Sequence, residues 1–179
     1  VYTADTLGYY SRAQGYSNLP SSTLTMMINK VCFPTFCKQS ANFESLIDFY
    51  KRIMNNVALF VFPLMFLLMA LAKPLVVVLI SSKWLPCVPY LQILCLATMW
   101  YPILEVNLSV IKAMGYSGIV LKTQIIDKIF ALVVLIITLH YNVVVMCCGA
   151  VLISFFSLIV NFSFSKKILL ISVVKQFKL

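Results

Sequence analysis

The side chains able to do chemistry are few, and they are scattered. There is one histidine, His140, and the acids are only Asp5, Glu44, Asp48, Glu105 and Asp127. No two carboxylates stand at a workable acid–base spacing, no Ser/His/Asp set or phosphate-cradling glycine loop is present, and nothing marks a metal or cofactor site. The six cysteines (Cys32, Cys37, Cys87, Cys95, Cys147 and Cys148) make no CxxC pair and mostly sit in or beside apolar runs, as packing thiols do. The pattern predicts a chain that is not an enzyme. What remains is a set of isolated charges in apolar surroundings: Lys30, Glu105 and Asp127, with neutral hydrogen-bonding residues at Asn18, Ser21, Ser22 and Thr25.

Their meaning depends on the elements that carry them. Residues 57–80 read VALFVFPLMFLLMALAKPLVVVLI, with Lys73 the single charge. A helix of about 24 residues spans roughly 36 Å, enough to cross a hydrocarbon core about 30 Å thick with some tilt. Each Leu, Ile, Val or Phe favours insertion by roughly 0.3–0.6 kcal/mol, which outweighs the roughly 3 kcal/mol cost of one lysine even before it snorkels. Composition agrees along the chain, with 62% hydrophobic residues, 11% charged and a mean hydropathy of +0.99. A soluble domain carries about 25% charged residues. The predicted fold class is therefore all-α, a polytopic transmembrane helix bundle.

About five spans are expected, at 12–36, 57–80, 90–111, 119–139 and 143–164. Between the first two, residues 42–56 place Phe43, Leu46, Ile47, Tyr50, Ile53 and Met54 on one face, the pattern of an amphipathic helix at the membrane surface, with Asn42 as its cap. Residues 165–179 form a basic tail. The net charge of +9 suggests nucleic acid in a soluble protein, but alternating spans explain it without one. Lys38, Lys51, Arg52, Lys112, Lys122, Lys128, Lys166, Lys167, Lys175 and Lys178 fall on one side, against Arg12 and Lys83 on the other. That bias makes the lysine-rich side cytoplasmic. His140 lies in the turn expected at 140–142, where a solvated imidazole is the natural reading, and Lys73, Lys112 and Lys122 read as snorkelling residues.

Several short words occur in order: LGYYSRAQGYSNLP at 7–20, VCFP at 31–34, VFPLM at 61–65, LAKPL at 71–75, KWLPCVPYLQILCLA at 83–97, YP at 101–102 and KAMGYS at 112–117. Together they resemble the lipopolysaccharide and colanic-acid exporters, the Wzx-type flippases of the multidrug/oligosaccharidyl-lipid/polysaccharide superfamily. The likeness weakens after about residue 139, where His140-Tyr141-Asn142 replaces a turn that usually carries Gly. It implies part of the C-terminal half of a larger transporter in the bacterial inner membrane. Its substrate would be an undecaprenyl-diphosphate-linked oligosaccharide moved by alternating access, with H⁺ or Na⁺ coupling and other polysaccharide-assembly proteins as partners. A drug/cation antiporter of the same superfamily, or a fragment inactive by itself, are the alternatives.

In related flippases an arginine in a word like YYSRAQ is taken to line a cationic cavity, which makes Arg12 a candidate for the substrate diphosphate. Guanidinium offers phosphate oxygens a fixed fork of donors and stays charged when desolvated; the competing role is an interfacial anchor. Lys30 is a second candidate, because a charge inside a span is a functional hypothesis by default. Asn18, Ser21, Ser22 and Thr25 suit sugar hydroxyls, or else cap a helix after Pro20. Glu105 is either an ion-coupling acid or the partner of Lys112, seven residues on along one face. Pro102, three residues before it, leaves the Thr98 carbonyl without its usual helical donor.

Overall fold

The computed structural model describes residues 4–169, with side chains from 5 to 165, so most of the basic tail 165–179 falls outside it. The described chain is helical almost throughout and has no strand: α1 (Ala4–Met27), α2 (Phe33–Gln39), α3 (Phe43–Ala70), α4 (Ala72–Leu79), α5 (Val88–Thr98), α6 (Tyr101–Ala113), α7 (Ser117–Thr138) and α8 (Val143–Leu169). Prolines set most of the interruptions. α1 runs into α2 through a widened turn, Ile28–Cys32, in which the Phe33 N–H reaches back to Ile28 O. Pro34, with no N–H to donate, follows at once, and a widened turn is a common way to absorb such a break. Asn42 caps α3 by accepting from Ser45 N at 3.3 Å. α3 then runs unbroken through the amphipathic stretch into the apolar one. It ends at Ala70, the residue whose carbonyl Pro74 can neither bond nor clear. Between α6 and α7 the chain reverses at Gly115, whose φ of 84° favours glycine.

α5 and α6 lie at the centre and contact α1, α3 and α8. Ala13, Ser17 and Ser21, four residues apart on α1, are all buried, a seam of small residues that lets α1 approach α5 closely. The Thr98 carbonyl orphaned by Pro102 is satisfied across this seam by the Ser21 hydroxyl. In return Thr98 Oγ1 donates to Ser17 O at 3.2 Å. α8 is held to the centre by a buried polar knot in which Tyr50 (3.3 Å) and Ser165 both donate to Asn107 Oδ1. α7 packs mainly on α8, where Gly149 brings the backbone close: a methyl there would sit 3.1 Å from both Thr138 Cγ2 and Val134 Cγ1.

By length and composition three of these helical stretches can cross a membrane: Phe43–Ala70, Ser82–Ala113 and Val143–Ser165. Five spans were expected. The other two fall on α1 and its continuation, which is more polar, and on α7, which is apolar on average but carries Lys122, Asp127 and Lys128 within its first half. Much of the outer surface is apolar, with Leu59, Val78, Leu121, Ile129, Leu132 and Ile159 all more than half exposed, as on a bundle bathed in lipid or covered by further helices. The chain is an all-α membrane helix bundle.

Candidate functional site

Two long helices, α1 and α7, each wall a cleft, and the clefts share a residue. Along α1, Asn18, Ser22 and Thr25 recur at helical spacing and face α6. With Ser21, Met26, Tyr101, Leu104 and Glu105 they line an open cleft of about 430 Å³. Five of the seven site candidates from the sequence (Asn18, Ser21, Ser22, Thr25 and Glu105) are thus brought together. Ser21 sits at the bottom with its hydroxyl committed to Thr98 O. Glu105 pairs with Lys112, whose Nζ stands 3.2 Å from Oε1; the side chains are 17% and 35% exposed respectively.

Tyr101 also borders a second open cleft, about 670 Å³, whose lining includes Gln124, Asp127 and Lys128 of α7 and Ile153 and Ser157 of α8. Here the half-buried Asp127 accepts from Asn161 Nδ2 at 3.3 Å. Asp127 is one of the isolated charges noted from the sequence; Tyr101, Gln124, Ser157 and Asn161 were not singled out there. A signal was present. In the apolar stretch 143–164, Ser154, Ser157 and Asn161 fall three and four residues apart, and all three are buried.

Arg12 and Lys30 do not line either cleft. Arg12 is exposed, its guanidinium 5.7 Å from the centre of the Trp84 ring, which Tyr9 also meets edge-on at 5.5 Å. Lys30 is exposed on the widened turn, beside Asn29, which accepts from Ser109 Oγ at 3.4 Å. Along the helix axis the two cations bracket the polar stretch, Arg12 about 9 Å beyond Asn18 and Lys30 about 7.5 Å beyond Thr25. The clefts offer hydroxyl, amide and carboxylate groups at open surfaces. Such groups suit polyhydroxylated ligands. Among the described residues no group of three or more His, Cys, Asp or Glu could hold a metal ion.

Comparison with known proteins agrees with this architecture. A family model described as "Polysaccharide biosynthesis protein" matches residues 1–89. The teichuronic acid biosynthesis protein TuaB of Bacillus subtilis is 26% identical over 116 residues, which is 65% of this chain and 24% of TuaB. The lipopolysaccharide biosynthesis protein WzxC of Escherichia coli is 31% identical over 96 residues, 53% of this chain and 19% of WzxC. An uncharacterized membrane protein in the cps region of Klebsiella pneumoniae is 33% identical over 92 residues, 51% of this chain and 19% of that protein. The aligned segments thus make up only about a fifth to a quarter of these relatives. No solved structure matches. Residues 1–89 are thus similar to the polysaccharide biosynthesis protein family, and the apolar spans suit a multi-pass protein of the bacterial inner membrane.

Proposed function

We propose that this chain forms part of a flippase that carries an undecaprenyl-diphosphate-linked oligosaccharide from the cytoplasmic to the outer face of the membrane. The α1–α6 cleft would be its share of the sugar path, continued past Tyr101 toward α7. One observation carries this reading: Asn18, Ser22 and Thr25 of α1 and Glu105 of α6, far from them in sequence, line one open polar cleft on an otherwise apolar bundle. Sugar hydroxyls both donate and accept, and hydroxyl, amide and carboxylate side chains can answer both roles without binding too tightly to release. Arg12 and Lys30, at either end of the polar stretch, would serve as successive counterions for the diphosphate, while the lipid tail stays among the exposed apolar side chains. Relatives named for polysaccharide and lipopolysaccharide biosynthesis support the substrate class, and they point to transport rather than catalysis.

The reading is tested in cells that depend on this protein for surface polysaccharide. Replacing Asn18 with Leu and Thr25 with Val together should lower surface polysaccharide at least about tenfold while the protein stays at normal membrane levels, because a path lined with apolar groups strips the sugar of its partners. Reversing charge at Arg12 and Lys30 (Arg12→Glu with Lys30→Glu) should do the same. Unchanged export in both variants would remove the cleft from the path.

A further inference from the structure

Tyr101 lines both polar clefts, and its place in the fold is unusual for a tyrosine. It lies within the span Ser82–Ala113, roughly 18 Å along the axis from the Ala113 end and so below the interfacial belt where membrane tyrosines gather. Yet the residue is 43% exposed. The helix is interrupted here: α5 ends at Thr98, α6 begins at Tyr101, and Pro102 follows. Broken helices at membrane depth are where transporters build binding sites. The Tyr101 hydroxyl meets that of Ser154 on α8, a residue only 1% exposed. Ser154 Oγ donates its own proton to Ala150 O at 2.9 Å, so Tyr101 is the donor between the two hydroxyls. A phenol tied at its far end to a second helix cannot swing about its side-chain bonds. The ring is therefore held still between the clefts, with little rotamer freedom left to lose when a ligand meets it.

We infer that Tyr101 is the platform on which a pyranose ring of the oligosaccharide stacks, and that it selects sugars with a flat face of C–H groups. A pyranose is amphipathic: hydroxyls radiate from its rim, while its axial hydrogens make a face apolar. The negative π face of an aromatic ring attracts C–H groups of that kind. Polar side chains stand where the rim would reach, Asn18 and Glu105 in the cleft of about 430 Å³ and Gln124 and Ser157 in that of about 670 Å³. Both volumes lie in the range of about 300–1,000 Å³ that suits small ligands. Amide and carboxylate groups together answer a hydroxyl as donor and as acceptor. Such hydrogen bonds gain little where water competes, and the stacked face adds an apolar contact that an open-chain polyol lacks. A π face also has no fixed donor or acceptor, so a stacked sugar can turn and shift from one cleft to the next without losing its hold. Sugar selection at Tyr101 rests on the path proposed above.

The test is saturation-transfer NMR on the purified protein in lipid nanodiscs, with methyl β-D-galactopyranoside as the probe, because its H3, H4 and H5 share one face. Transfer to those three protons should exceed transfer to H2, on the opposite face, by at least about twofold. D-Sorbitol, which has hydroxyls and no ring face, should receive none. Tyr101→Leu should cut transfer at least about fivefold and abolish the preference for one face. Tyr101→Phe keeps the ring and drops the tie to Ser154; it should restore at least about half of the transfer while Tm falls by a few degrees. A tyrosine that only bolts α6 to α8 would make Phe as damaging as Leu. That result, no transfer to the unaltered protein's probe, equal transfer on both faces, or a face preference that survives Tyr101→Leu overturns the platform. The face pattern of the unaltered protein decides the matter should Tyr101→Leu fail to fold. Export plays no part in the measurement. Failed transport variants at Asn18 and Thr25 therefore leave the stacking result standing, and a silent probe leaves the path of α1 and α6 to be judged on export.

Discussion

Glu105 and Asp127 are two acids on neighbouring helices, each at the rim of a cleft that includes Tyr101. Glu105 is closed off by Lys112 at 3.2 Å, a pair formed within one helix and present whichever way that helix packs. Asp127 is met across an interface by an amide and a hydroxyl of α8, with the Lys128 charge beside it in the same cleft. A carboxylate paired with a lysine of its own helix keeps that partner however the bundle packs; one met by an amide and a hydroxyl of another helix keeps them only while the two helices stay together. The difference is one of partners, since type of residue, burial and location nearly coincide.

Variants that damage one cleft and spare the other sharpen that contrast. The largest effect should come from Gly149→Val, whose branches collide with Val134 and Thr138 where α7 meets α8. Overpacking of this kind costs about 3 kcal/mol; Tm in nanodiscs should fall by several degrees, while the coupling between Glu105 and Lys112 is unaffected. Ser21→Ala strikes the other side. It returns the Thr98 carbonyl to the unpaired state that Pro102 imposes, at about 2 kcal/mol. It should loosen α1 from α5, read as faster amide exchange in residues 13–25, without touching the α7–α8 pair.

The Glu105–Lys112 pair is a third exposed on its lysine side, so solvent reduces its contribution to about 1 kcal/mol. A double-mutant cycle with Glu105→Gln and Lys112→Met, followed by thermal unfolding, should return a coupling of that size. A null coupling would leave Glu105 without a partner on its own helix and erase the distinction between the two clefts. The smallest effect should be Trp84→Leu, which takes the aromatic face from Arg12 and costs about 0.5 kcal/mol of stability. Intrinsic fluorescence checks the removal, and export should then show whether Arg12 needs that platform.

A good deal of this was visible in the order of residues. Helices, their proline breaks and the Asn42 cap follow from local rules that need no partner. The Glu105–Lys112 pair follows from seven-residue spacing on one face, and the orphan at Thr98 follows from Pro102 alone. The identity of the group that would fill that orphan did not follow, because Ser21 lies 77 residues away and nothing local distinguishes it from Ser22. The same limit hid the second cleft. Nothing near Asp127 in the chain points to the α8 residues that meet it, which lie 30 and 34 positions on.

Composition and periodicity by themselves determined that this chain is a set of apolar helices with a polar face on α1, since hydropathy and helical spacing are properties of short stretches. Which polar faces meet, that Asn18, Ser22, Thr25 and Glu105 share a hollow, and that Asp127 finds an amide and a hydroxyl of α8, were decided by tertiary structure alone. Those outcomes depend on how each helix is rotated about its axis, and that rotation is set by long-range packing such as the close contact at Gly149 and the small-residue seam of Ala13, Ser17 and Ser21.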